Sequence, residues 1–218
     1  MRIDSHTAGE PMQSFLEALR IQRHDDHRYY HHSRINQSLH LLSAISFMTA
    51  YVLLFVSPAG AALLGWLVSM VARQSGHFFF EPRGYDHYNQ ATDEYKEAVK
   101  VGYNIRRKIV LLVIWGLSPL LLLATPTLFG LTHRAAGPAE FMQQVGWIWL
   151  VVGAGGLLFR TVQLFFVRDV QTGLVWFTKI LTDPFNDAVL YCKAPLYLLR
   201  GELLDPMSGE GMNDEQRA

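Results

Sequence analysis

Residues 38–81 read SLHLLSAISFMTAYVLLFVSPAGAALLGWLVSMVARQSGHFFFE, and this stretch decides the fold. Two apolar runs, 38–57 and 59–80, flank the turn signal Ser57-Pro58-Ala59-Gly60. Each matches the roughly 20 residues that a helix needs to cross a bilayer. The pair predicts a helical hairpin that enters a membrane and returns to the side it left. His40 lies near its entry and His77 near its exit, so the two imidazoles are expected at similar depth on neighbouring helices.

Two further apolar runs, 109–131 and 145–167, have the same character. The expected class is therefore all-α: a polytopic membrane protein with four transmembrane helices and cytosolic peripheral helices. Pro119 and Pro126 predict a kink or early end in the third span. Gly153, Gly155 and Gly156 predict close helix approach in the fourth, against a neighbour or another copy of the chain. Half of the residues are hydrophobic and 17% are charged, against about 25% in soluble domains. The formal net charge is zero, which argues against nucleic acid as a partner. The single cysteine, Cys192, excludes an internal disulfide and a Cys-rich zinc site. The opening residues are polar, and no cleavable signal peptide is expected.

Lys and Arg concentrate in the arm before residue 38, the loop 81–108 and the tail after 167, whereas the loop 132–144 has only Arg134. With four spans the three basic segments share one side, so both termini are expected in the cytosol. A bacterial inner membrane and the endoplasmic reticulum both fit. The organisation read from the sequence is a cytosolic arm at 1–37, a bundle at 38–167, an interfacial amphipathic tail at 168–206 and a disordered end at 207–218. Residues 10–37 and 85–106 are expected to be helices outside the membrane. Asp183-Pro184-Phe185 is expected to break the tail.

Five of the nine histidines fall between His24 and His40. On a helix His77 and Glu81 share one face, with Arg73 one turn earlier. That face reads either as an anion contact followed by two metal ligands, or as a buried Arg–Glu pair beside a satisfied histidine. His31 and His40 are nine apart, on opposite sides of a continuous helix. They reach one metal only if the helix breaks between them, at Ser33 or Asn36; otherwise they serve different sites. His27, His32 and His87 are further ligand candidates, whereas His6 and His24 read as solvated and His133 as unrelated.

Tyr30-His31, Asn36 and His40, followed after one apolar hairpin by Gly76-His77-Phe78-Phe79-Phe80-Glu81, resemble the Mpo-like membrane family of 2-hydroxy fatty acid dioxygenases. The resemblance covers about residues 28–82. It implies a four-span protein that uses Fe²⁺ and O₂ to shorten a 2-hydroxy fatty acid by one carbon, with His31, His40, His77 and Glu81 as the iron site. In that reading Arg73 neutralises the substrate carboxylate, and Tyr30 and Asn36 orient the ligands and substrate. The family's Arg-x-Pro after the glutamate is replaced here by Pro82-Arg83-Gly84, and 85–106 and 168–205 have no counterpart.

Two other classes fit parts of the chain. His27-x-x-x-His31-His32 resembles one box of a membrane di-iron hydroxylase or desaturase, although few histidines remain to complete a set. The polar loop and tail also suit a non-enzymatic lipid-binding or scaffold subunit that docks a membrane partner.

Overall fold

The computed structural model describes residues 14–81, 84–87, 89–102 and 105–206. His6 and the end at 207–218 lie outside the described residues, as do Pro82 and Arg83. The described chain is all-helical, with only isolated bridges between extended residues.

α1 (Phe15–Tyr30) is capped by Ser14, whose hydroxyl accepts from the amide of Glu17 at 3.3 Å. It stops at Tyr30, and Ser33 starts α2 (Arg34–Leu53), its hydroxyl accepting from the amide of Asn36 at 3.4 Å. The two carbonyls at the break are held by the first turn of α2. The Asn36 amide group donates to Tyr30 and that of Gln37 to His31, each at 2.8 Å. The helical stretch expected over 10–37 is therefore two helices with a clamped corner, the arrangement under which His31 and His40 can reach one centre.

Ser57 caps α3 (Pro58–Leu64), with proline in the first turn where its missing N–H costs nothing. A π-helical segment, Gly65–Met70, separates α3 from α4 (Val71–Phe79). The wider turn rotates the face of α4 relative to α3. Among the described residues of 85–106, α5 (Asp93–Val99) forms a helix before α6 (Ile105–Leu117) begins, so the charged helix expected there is short. α6 ends before Pro119, and α7 (Leu120–Ala124) ends before Pro126. α8 (Pro138–Val167) starts seven residues earlier than the expected fourth span.

Among the described residues two helical stretches, rather than the four expected, are long and apolar enough to cross a membrane: 107–124 and 138–167, with 11% and 17% of their most apolar windows buried. A core helix of a soluble protein would be mostly buried. α2 and α3–α4 also turn Leu42, Ile45, Leu67 and Val71 outward.

The tail differs most from expectation. α9 (Val170–Leu190) runs through Asp183-Pro184-Phe185 without a break, and α10 (Ala194–Leu199) follows. Pro184 is buried inside α9, beside the Leu181 carbonyl that accepts from the Tyr51 hydroxyl at 3.0 Å. α9 packs on α1, α2 and α8, and α10 on α2, so the tail is part of the bundle.

The apolar core gathers Ala62, Leu122, Val145 and Trp149 from α3, α7 and α8. Trp66, Trp115 and Trp149 stack through it, with ring centroids 4.0 and 4.5 Å apart. Close helix approach occurs at Gly146 rather than at the expected glycines. A Cβ there would lie 2.5 Å from the carbonyl oxygen of Ala59. Gly153 touches Trp66, and Gly155 and Gly156 face open space.

Candidate metal centre

The corner after α1 places His31, the second turn of α2 places His40 and the last turn of α4 places His77. Their rings converge, with centroids 4.1 Å apart for His31–His40, 4.9 Å for His40–His77 and 5.3 Å for His31–His77. One nitrogen from each lies within 4.8 Å of the others, and the exposures are 2%, 0% and 7%. Gly76 permits this approach. A side chain there would meet the Asn36 amide oxygen at 2.1 Å and the His40 ring at 3.4 Å.

The three donors could hold a metal ion. The Nε2 atoms of His31 and His40 are 3.2 Å apart. Imidazole nitrogens this close either share a proton or face a cation between them. Ligand bonds of about 2.0–2.1 Å put neighbouring donor nitrogens about 3.0–3.4 Å apart. Nδ1 of His31 is buried without a hydrogen-bond partner.

Carboxylates stand behind the other two rings. Glu81 Oε2 lies 2.8 Å from His77 Nδ1, and Asp187 Oδ2 lies 3.6 Å from His40 Nδ1. The Glu81 hydrogen bond fixes the His77 tautomer and turns its Nε2 toward a shared centre, whereas Asp187 lies near His40 without a hydrogen bond to it. Glu81, expected as a ligand, therefore stands behind His77 rather than among the converging nitrogens. Its other oxygen is 3.5 Å from the Lys100 ammonium.

Arg73 is committed to the tail. It donates to Asp187 at 3.0 Å and lies 3.8 Å from Asp183, so its carboxylate partners are these two rather than Glu81. The network continues from Asp183 to Lys179 at 2.6 Å and from Lys179 to Asp26 of α1 at 3.1 Å. Arg23 adds bonds to Asp183 at 3.4 Å and to the Thr182 hydroxyl at 2.6 Å. Buried charges of both signs thus join α1, α4 and α9 around the histidines.

The electrostatics follow from this enclosure. Burial, aided by His40, holds the His31 imidazole well below its ordinary value. Burial disfavours the charged form of Asp187, but the neighbouring His40 imidazole and the Arg73 charge outweigh it and hold the carboxyl down. Burial raises the Asp183 carboxyl despite Lys179 and Arg73. Burial, with Asp187 next, pushes the Tyr191 phenol well up. The arrangement is a neutral imidazole, a fixed carboxylate and a neutral phenol. The Tyr191 hydroxyl is 3.1 Å from His27 Nδ1, and its ring is 5.8 and 6.1 Å from those of His31 and His40.

The remaining candidates lie elsewhere. His27 is held by Tyr191, and His32 meets the Arg28 carbonyl, Asn89 at 3.1 Å and Asp86 at 3.8 Å. His87 is exposed, beside the Tyr85 ring. The Tyr30 hydroxyl donates to the Lys96 carbonyl at 2.8 Å, and Asn36 braces the corner rather than a ligand ring. His133 pairs with Glu140.

Sequence reasoning missed Lys179, Asp183, Asp187 and Tyr191. Their signal was a spacing of four, which stacks side chains on one helical face. Comparison of the chain with known protein families, curated proteins and solved structures finds no match.

Proposed function

We propose that this chain is a membrane-embedded, iron-dependent oxygenase that acts on a 2-hydroxy fatty acid. The observation that carries the reading is the convergence of His31, His40 and His77, backed by Glu81 and Asp187. Three imidazoles would hold Fe²⁺ and leave positions for other ligands. Fe²⁺ bound there would supply redox chemistry toward O₂ and a chelating hydroxy acid. The chain's own groups do the rest. Glu81 orients the His77 imidazole, Asp187, kept ionised by Arg73, places negative charge beside His40, and Tyr191 closes the centre beside α9. An open cleft of about 780 Å³, lined by Phe78, Phe79, Glu81 and Ile109, lies against the group behind His77 and suits the approach of an acyl chain.

The reading takes α2 and α3–α4 as a membrane hairpin beside the two apolar helices, with both termini on the basic, cytosolic side. Their outward apolar residues support it. The di-iron alternative draws less support, since His27 and His32 lie outside the converging group and meet Tyr191 and Asp86. A structural metal site is the second reading, favoured by the near-complete burial of the three rings.

The test uses the full chain purified in detergent, with iron measured and O₂ uptake followed on 2-hydroxypalmitate and palmitate. The proposal expects bound iron, uptake only with the 2-hydroxy acid, and loss of both in His77→Ala. Bound metal without uptake would favour the structural reading. Iron-free protein whose His77→Ala variant matches the parent would overturn the proposal.

A further inference from the structure

A second polar cavity lies away from the histidines, between the start of α6 and the end of α8. Its volume is about 310 Å³, and Lys100, Arg107, Arg160 and Arg168 line it together with Gln163. Among the described residues that line it there is no carboxylate. Arg160 is buried at 6% exposure, two turns before the end of α8. It is anchored there by hydrogen bonds to the Gln163 side chain at 2.8 Å and the Val101 carbonyl at 2.7 Å. Arg168 reaches the Ala98 carbonyl at 3.4 Å, and Lys100 is shared with Glu81 outside the cavity.

Position narrows the ligand. Arg107 opens one apolar helix and Val167 closes the other, so the cavity sits where both candidate spans meet their polar flank. Directly beside it Ile109, Val110, Val162 and Phe166 are exposed. A cationic recess above an exposed apolar wall matches a molecule with an anionic head and hydrocarbon tails. Basic clusters at a membrane border bind anionic headgroups in this manner. We propose that this cavity holds the headgroup of an anionic phospholipid, with its acyl chains along the outer faces of α6 and α8. The inference does not depend on iron or on oxidation.

The experiment titrates the purified full chain with phosphatidylglycerol and with phosphatidylcholine, reading bound lipid by native mass spectrometry. Glycerol phosphate and inorganic phosphate serve as soluble competitors. Arg107→Gln with Arg168→Gln removes two exposed charges and leaves buried Arg160 in place; Arg134→Gln, in the loop 132–144, is the control. The proposal expects preferential retention of phosphatidylglycerol. It expects a weakening on the order of fivefold per charge removed in the double variant. It also expects no change in the control and no displacement by the soluble anions. A melting curve matching the parent's verifies that the double variant is folded, and Arg168→Gln alone repeats the test if it is not. Equal retention of the two lipids, or unchanged phosphatidylglycerol binding in a folded variant, overturns it. Displacement by either phosphate probe also overturns it, because the site would then serve a soluble anion.

Discussion

In one region of the molecule three indoles stack at 4.0 and 4.5 Å among Ala62, Leu122 and Val145; in another, three imidazoles meet among buried aspartates and an arginine. The first joins α3, α6 and α8 by shape, and Gly146 lets a backbone lie against Ala59. The second joins α1, α2, α4 and α9 by charge and hydrogen bonding. The difference concerns tolerance. Apolar packing degrades by degrees as volume changes. A buried ionic network fails abruptly, because each group removed strands another in a low-dielectric setting. The polar region is therefore where the chain gives up ease of folding for a fixed arrangement of imidazoles.

The largest expected effect is at Asp187, which Arg73 and His40 share. Asp187→Ala leaves Arg73 short of its nearest carboxylate, and loss of one partner of a buried pair costs about 3–5 kcal/mol. Thermal melting in detergent should fall sharply and metal retention should fall with it. An unchanged melt would mean that the tail does not support the centre. Trp149→Ala should cost a comparable amount, about 3–5 kcal/mol, through the cavity it leaves. Its metal content should nevertheless match the parent's, and co-loss of metal would erase the distinction between the two regions.

Gly76→Ala should cost about 1–3 kcal/mol, since its methyl group would overlap the Asn36 amide oxygen. The sharper readout is metal affinity, because a shift of α4 moves His77 away from His40. Retention of full affinity would show that the glycine is not needed for convergence.

The smallest effect is a pH slope. Burial favours neutral His31 in the folded chain, so the unfolded chain binds the proton more readily. The associated stability is fully present above the ordinary imidazole value and is lost as pH falls below it. The metal-free parent should melt progressively lower from about pH 7 to about pH 5, and His31→Gln should flatten part of that slope. Parallel slopes would place the titration elsewhere.

The helical hairpin was legible because a Ser-Pro turn between two apolar runs is a local signal, although neither of its arms is among the helices long and apolar enough to cross a membrane. The break between His31 and His40 was legible only as one of two alternatives, with Ser33 as a possible cap, and Ser33 does cap α2. The tail was not. Pro184 reads locally as a helix breaker, yet tertiary packing on three helices holds α9 through it. Arg73 advertised a buried anion correctly, but its partner is 114 residues away. Spacing within 73–81 offered Glu81 instead. Local periodicity names the faces of helices and leaves open which face meets which.

Metal content of the purified full chain tests the central claim most directly, measured by elemental analysis beside His31→Ala, His40→Ala and His77→Ala. One transition-metal ion per chain, lost in each variant while the folded protein persists, is the predicted result. A metal-free parent that takes up no added Fe²⁺, or variants that keep the ion, would contradict it.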